Sequence, residues 1–251
     1  MRAARAVAVA AMTAWAGAVL LYADNAQAET PVSIELVLAV DTSMSVDGSE
    51  YDLLMKGMAN AFRTPEIINL IGQHDGVAVT LFQWSSEVNA KMMIPWHLLA
   101  DPASVLAFAA KVEKASRGPK RHFTGIGGAI DFSVRLITGN EYDGRELKID
   151  VSGDGRNNTG IPPAIPGQTA NALGIVINGL PILTYADNYP YDVEDYYREQ
   201  VIRGPGAFIE VANDYGDFSR AFQRKLRREL APFVSRGPSL PRQYVQEAQA
   251  P

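Results

Sequence analysis

Apolar runs of strand length alternate along most of the chain with apolar positions spaced for helices, and this alternation predicts an α/β fold. Ile34 to Val40 is nearly continuous in apolar residues, the mark of a central strand covered on both faces. Ser49 with Asp52 reads as a capping-box-like helix start, after which Leu54, Met58, Ala61 and Phe62 share one helical face. Pro65 to Gly72 reads as a short second helix or a continuation. Val77 to Trp84 is the next strand, and Ala90 to Ile94 follows closely enough to pair with it as an antiparallel edge. Asp101-Pro102 opens a helix carrying Val105, Phe108, Ala109 and Val112, and Thr124 opens another carrying Ile126, Ala129, Ile130, Val134 and Ile137. Leu147 to Val151 and Leu173 to Ile177 are strands, the second followed by the tight-turn signal Asn178-Gly179. Ala207 to Val211 is expected as the last strand and Asp214 to Leu230 as the last helix. Together these elements predict a doubly wound, mostly parallel central sheet of about six strands, with one antiparallel edge strand and helices on both faces.

The two ends fall outside this pattern. Arg2 and Arg5, the Ala-rich apolar stretch to Leu21 and the small-x-small site Ala26-Gln27-Ala28 read as a secretory signal peptide over residues 1–28. A domain over 29–236 follows, and 237–251 is Pro- and Gln-rich with little to bury, so a mobile tail is expected. No second long apolar run follows Leu21, so the mature chain is expected to have no stable membrane span and to be exported, periplasmic or secreted.

Charge and composition remove several classes. Losing Arg2, Arg5 and Asp24 with the signal moves the formal net charge from −5 to −6, which offers no electrostatic footprint for nucleic acid. The chain has no cysteine, so disulfides, thiolate-bound metals and thiol catalysis are excluded.

Oxygen chemistry remains. Asp41, Ser43 and Ser45, in "LVLAVDTSMS", place one carboxylate and two hydroxyls at alternate positions where the first strand ends. Thr124 lies in a loop opening a helix, and Asp154 lies just past the Leu147 to Val151 strand. In a parallel α/β sheet, loops beyond the carboxyl ends of the strands converge on one crevice, so all three can meet. Hard oxygens of this kind suit a small divalent cation.

The D-x-S-x-S at Asp41 to Ser45, "TGIGGAI" at Thr124 to Ile130 and "SGDGRNN" at Ser152 to Asn158 resemble the three parts of the metal-ion-dependent adhesion site of von Willebrand factor type A domains. The order of strands and helices is similar over Ser33 to Pro232, and the chain resembles most closely an uncharacterised bacterial subfamily of exported proteins with this domain. The resemblance implies that Ser43 and Ser45 bind Mg²⁺ or Mn²⁺ directly, with Asp41 near the ion directly or through water. It also implies that Thr124 is a switchable ligand and that Asp154 acts through water or from behind. An acidic side chain of a protein partner, Asp or Glu, would take the open coordination position. The third motif departs from the family's usual T-D-G, because Gly153 stands before Asp154. Asp150 is a rival for the role of Asp154, but inside a strand its side chain points into a layer.

Each element has a plainer explanation: Ser43 and Ser45 as helix caps, Thr124 as an N-cap, Asp154-Gly155 as a turn. The tract from Thr184 to Glu199 supplies Tyr185, Tyr189, Tyr191, Tyr196 and Tyr197, either as a recognition surface beside the metal or as rings buried by a local helix. Lys120, Arg121 and His122 form a basic loop that either steers acidic ligands or is simply solvated. On the last helix Arg220, Arg224, Lys225, Arg227 and Arg228 are expected opposite Phe218, Ala221, Phe222 and Leu226.

The leading expectation is a metal-dependent protein-binding module rather than an enzyme. A metal-assisted hydrolase with His122 as base is the alternative, and a structural domain with a vestigial site is the third. "AVDTS" matches an aspartic-protease signature only weakly, since no second copy follows. An EF-hand fails because Val46 replaces the required glycine and Asp52 the closing glutamate.

Overall fold

The computed structural model describes residues 29–86, 90–118, 122–184 and 193–231. The expected signal peptide, the whole of the expected tail, Lys120, Arg121, Tyr185, Tyr189 and Tyr191 lie outside the described residues. In chain order the elements are β1 (Thr30–Asp41), α1 (Gly48–Phe62), α2 (Pro65–Ile71), β2 (Val77–Trp84), β3 (Lys91–Leu99), α3 (Pro102–Lys114) and α4 (Ile126–Thr138). There follow β4 (Tyr142–Gly153), α5 (Ala164–Ala172), β5 (Ile175–Pro181), the short α6 (Val193–Tyr196) with a π-helical turn over Tyr197–Val201, and α7 (Phe218–Glu229).

The five strands form one sheet in the order β3-β2-β1-β4-β5. β1 runs parallel to β2 and β4, β5 runs parallel to β4, and β3 is the antiparallel edge beside β2. Strand alternation splits β1 between two cores. Ile34, Leu36, Leu38 and Val40 face a cluster with α1, α3 and α7, while Val37 and Ala39 face one with α4 and the π turn. Both faces are therefore dry, which is why β1 reads as an unbroken apolar run.

Several elements differ from expectation for identifiable reasons. Asn178-Gly179 is no turn but the middle of β5. Asn178 Nδ2 donates to Glu229 Oε1 at 3.0 Å and its Oδ1 accepts the Phe208 N–H at 3.1 Å, so its polar group is satisfied inside the fold. The expected strand at Ala207 to Val211 is reduced to isolated parallel bridges, Ile209 to Gly179 of β5 and Ala212 to Ile182 just past it, so the described residues hold five strands rather than six. α5 was hidden by Pro163 and Pro166, which sit at its start, where a missing N–H costs little. Gly174, at φ 76°, then turns the chain into β5. α1 is capped by Asp47, boxed with Glu50, rather than by Ser49 and Asp52. Lys225 lies on the buried side of α7 rather than among the solvated cations, because Asp150 and Glu229 wait for it there.

Candidate metal centre

Asp41 closes β1, next to Trp84 of β2, and Gly153 closes β4 on the other side. The chain leaves β1 toward β2 on one side while β4 lies on the other, so this is the point where loops diverge and a crevice opens. Asp41 Oδ1 accepts the Ser43 N–H at 2.7 Å, curling the chain into a tight turn. That turn brings the Ser43 and Ser45 hydroxyls within 3.0 Å of each other. The Ser45 hydroxyl donates to Asp154 Oδ1 at 2.8 Å, so in the contact between the serines Ser43 is the donor. The Tyr215 hydroxyl donates to the other Asp154 oxygen at 2.8 Å. Asp41, Ser43, Ser45 and Asp154 are thus joined by one chain of hydrogen bonds.

Thr124 arrives from a third direction. Its N–H donates to Asn158 Oδ1 at 2.8 Å and its carbonyl accepts the Asn158 N–H at 2.9 Å, which straps the loop before α4 to the loop that carries Asp154. The Asn157 side chain accepts the Gly127 N–H at 3.0 Å, and a Cβ at Gly127 would collide with the Ile161 carbonyl. The Thr124 hydroxyl stands 3.5 Å from where a Cβ of Gly155 would lie, beside Asp154. The N-cap of α4 is Gly125 with no side-chain bond, and the cap of α1 is Asp47. None of the three hydroxyls is spent on capping a helix.

Arg117 holds this arrangement from outside. Its guanidinium donates to the carbonyls of Thr42 (3.3 Å), Ser43 (3.2 Å), Asp47 (2.9 Å) and Val46. Its charge faces backbone oxygens, not the carboxylates. It also lies over the Tyr51 ring, whose hydroxyl donates to the Ala115 carbonyl at 2.7 Å. Arg117 precedes the basic loop named from the sequence; of that loop, His122 is solvent-exposed, and Lys120 and Arg121 lie outside the described residues.

Two neighbouring buried carboxylates set the electrostatics. Burial, and then the charge of Asp154, push the Asp41 carboxyl up to about 8; the Ser43 N–H and the more distant Arg117 oppose this and lose. Asp41 is 1 % exposed, and its Oδ2 has no hydrogen-bond partner. Leaving such an oxygen buried costs on the order of 1–3 kcal/mol. Among the described residues no three His, Cys, Asp or Glu side chains gather as a metal cluster. The donors here are instead two carboxylates and three hydroxyls, all hard oxygens. Such a set fits a small divalent ion that keeps several waters, and Ser45 is exposed, so the crevice opens to solvent on its side.

Sequence reasoning did not single out Arg117, Tyr215, Asn157 or Asn158, and it named Tyr197 only as one ring of the tyrosine tract. Only the paired asparagines after Asp154-Gly155 carried a signal, as side chains that habitually bond loop backbone. Tyr196 is half-buried with Arg156 over its ring at 5.5 Å, whereas Tyr197 is fully buried and belongs to no recognition surface.

The fold is that of von Willebrand factor type A domains. The vWF domain of the type V pili tip protein Mfa5 from Porphyromonas gingivalis matches with a TM-score of 0.57 at 10 % identity, over 83 % of this chain and 98 % of that one. A von Willebrand factor type A protein from Catenulispora acidiphila matches with a TM-score of 0.54 at 16 % identity, over 79 % of this chain and 42 % of the other. Proximal thread matrix protein 1 from the mussel byssus, solved with a zinc-occupied MIDAS motif, matches with a TM-score of 0.57 at 13 % identity, over 81 % of this chain and 46 % of the other. The chain spans about half the length of the mussel proteins it matches. Of these neighbours, one carries the name of a pilus tip protein and one that of a thread matrix protein. No curated protein matches by sequence. The model of the family described as "Protein of unknown function (DUF1194)" matches residues 31–234.

Proposed function

The chain belongs to the family described as "Protein of unknown function (DUF1194)", and from that premise we propose that it is an exported, metal-dependent protein-binding module. Asp41, Ser43, Ser45, Thr124 and Asp154 hold Mg²⁺ or Mn²⁺, and an Asp or Glu side chain of a protein partner docks there. When bound, the ion supplies a positive centre with a position for that carboxylate. The protein's own groups do the rest. Asp41 and Asp154 supply the negative charge, the Ser43 and Ser45 hydroxyls are held to each other and to Asp154, and Arg117 keeps the turn closed by bonding its carbonyls.

The observation that carries the reading is Asp41 Oδ2: a buried carboxylate oxygen with no partner, beside a second carboxylate. A fold that gained nothing from Asp41 would hold an apolar or singly bonded residue there. The basic, apolar and small-residue N-terminal pattern and the pilus and matrix names of the neighbours support export.

Isothermal titration with Mg²⁺ and with Mn²⁺ tests the proposal. The wild type is expected to take up one ion per chain, and Asp41→Ala is expected to bind at least about a hundredfold more weakly, as loss of a charged ligand implies. Equal uptake by both proteins would sink it.

A further inference from the structure

Tyr197 is the first residue of the π-helical turn, closed by the Ile202 N–H donating to the Tyr197 carbonyl at 3.0 Å. Turns of this type concentrate at functional positions. Two glycines on neighbouring strands form the slot that admits its ring. A Cβ at Gly179 of β5 would stand 2.8 Å from ring carbon Cδ1, and a Cβ at Gly153 of β4 would stand 2.8 Å from the Tyr197 hydroxyl. The same Gly153 point is 2.8 Å from Asp41 Oδ2. The hydroxyl and the carboxylate oxygen therefore flank one small space without meeting in a hydrogen bond, and a modest shift or one bridging water would join them.

Both atoms are buried, and each lacks a hydrogen-bond partner. Two orphaned polar groups on either side of one gap are unlike two independent accidents. The ring alone fills the core among Val37, Ala39, Ile177 and Val201, and a phenylalanine would fill it equally well without desolvating a hydroxyl. The oxygen thus has a task other than packing. Gly153 is also where the third motif departs from T-D-G, and the reason is steric: any side chain there would meet both oxygens.

We propose that Tyr197 is a positioning residue of the metal centre, its hydroxyl donating to Asp41 Oδ2 across the space left by Gly153 and so fixing the carboxylate for the ion. This rests on the metal-binding reading given above. Tyr197 reaches no solvent and makes no contact with a docked partner; it acts through Asp41.

The test is calorimetric titration of Mn²⁺ into the full chain and into Tyr197→Phe, with thermal melts of both in chelator. The variant is expected to bind Mn²⁺ about tenfold or more weakly, as loss of a group that orients a metal ligand does. Its melting midpoint in chelator should be unchanged or higher, because a buried hydroxyl has gone. A Tyr197→Phe protein that binds like the wild type overturns the inference, leaving the metal site standing. So does weaker binding accompanied by a midpoint lowered by more than about 5 °C in chelator, which marks the hydroxyl as structural. A wild type that takes up no Mn²⁺ overturns the metal site itself, and this inference with it.

Discussion

Asp150 and Asp154 lie close together along β4 and its loop, both nearly fully buried, yet their charges are met in opposite ways. Asp150 faces α7, where Lys225 Nζ stands 2.8 Å from its Oδ1 and 2.6 Å from Glu229 Oε1. Lys225 is wholly inaccessible, and Lys148 adds a bond to the Glu229 carbonyl. That region carries its own cation and is closed. Asp154 and Asp41 have hydroxyls around them and Arg117 nearby, but Arg117 is committed to backbone carbonyls. One region uses burial of charge to pin a helix to a sheet; the other leaves a charge deficit where the crevice opens. Burial alone does not mark a functional carboxylate. What sets Asp41 and Asp154 apart is that, among the described residues, no cation pairs with them.

The closed region should break hardest. Lys225→Met strands Asp150 and Glu229 without a cation and is expected to cost about 3–5 kcal/mol in urea unfolding, while replacing all three by Met, Leu and Leu should restore most of it. If Lys225→Met unfolds at the wild-type midpoint, the trio is not holding α7. A gentler test uses pH. Burial pushes the Asp150 carboxyl up to about 7, with Lys225 pulling it down and the Glu229 charge pushing it up. The folded value lies above the ordinary 3.8, so the unfolded chain loses its proton first. Stability from this group is therefore full below about pH 4 and declines as pH rises through 7. Unfolding free energy measured across that window in chelator should fall less steeply in Asp150→Asn than in the wild type. Parallel curves would contradict the assignment.

Much of this was legible in the sequence because strands and their loops carry local signatures. Ile34 to Val40 announced a two-faced strand, and the D-x-S-x-S that follows needed only the turn at Ser43 to aim its oxygens. Asp150, mid-strand, enters a layer and meets Lys225, whereas Asp154, past the strand end, meets Ser45 and Tyr215. What stayed hidden depends on partners distant in sequence. Asn178-Gly179 has the local form of a turn, and only Glu229, Phe208 and the Tyr197 ring make it a strand interior. Lys225 resembles its cationic neighbours on α7 until Asp150 is placed beneath it. Arg117 and Tyr197 act through contacts that no spacing rule connects to Asp41.

The central claim is that the crevice gathers carboxylates for a bound divalent cation. It is tested most directly by thermal unfolding of the wild type and Asp41→Asn, each in Mn²⁺ and in chelator. Asparagine keeps an acceptor for the Ser43 N–H while removing the buried charge. Saturating Mn²⁺ at about a hundred times its dissociation constant should stabilise the wild type by about 2.7 kcal/mol, a rise of several degrees. Asp41→Asn should not respond to the metal, and in chelator it should melt at or above the wild type. A wild type indifferent to Mn²⁺, or an Asp41→Asn protein that loses stability in chelator, would contradict the account.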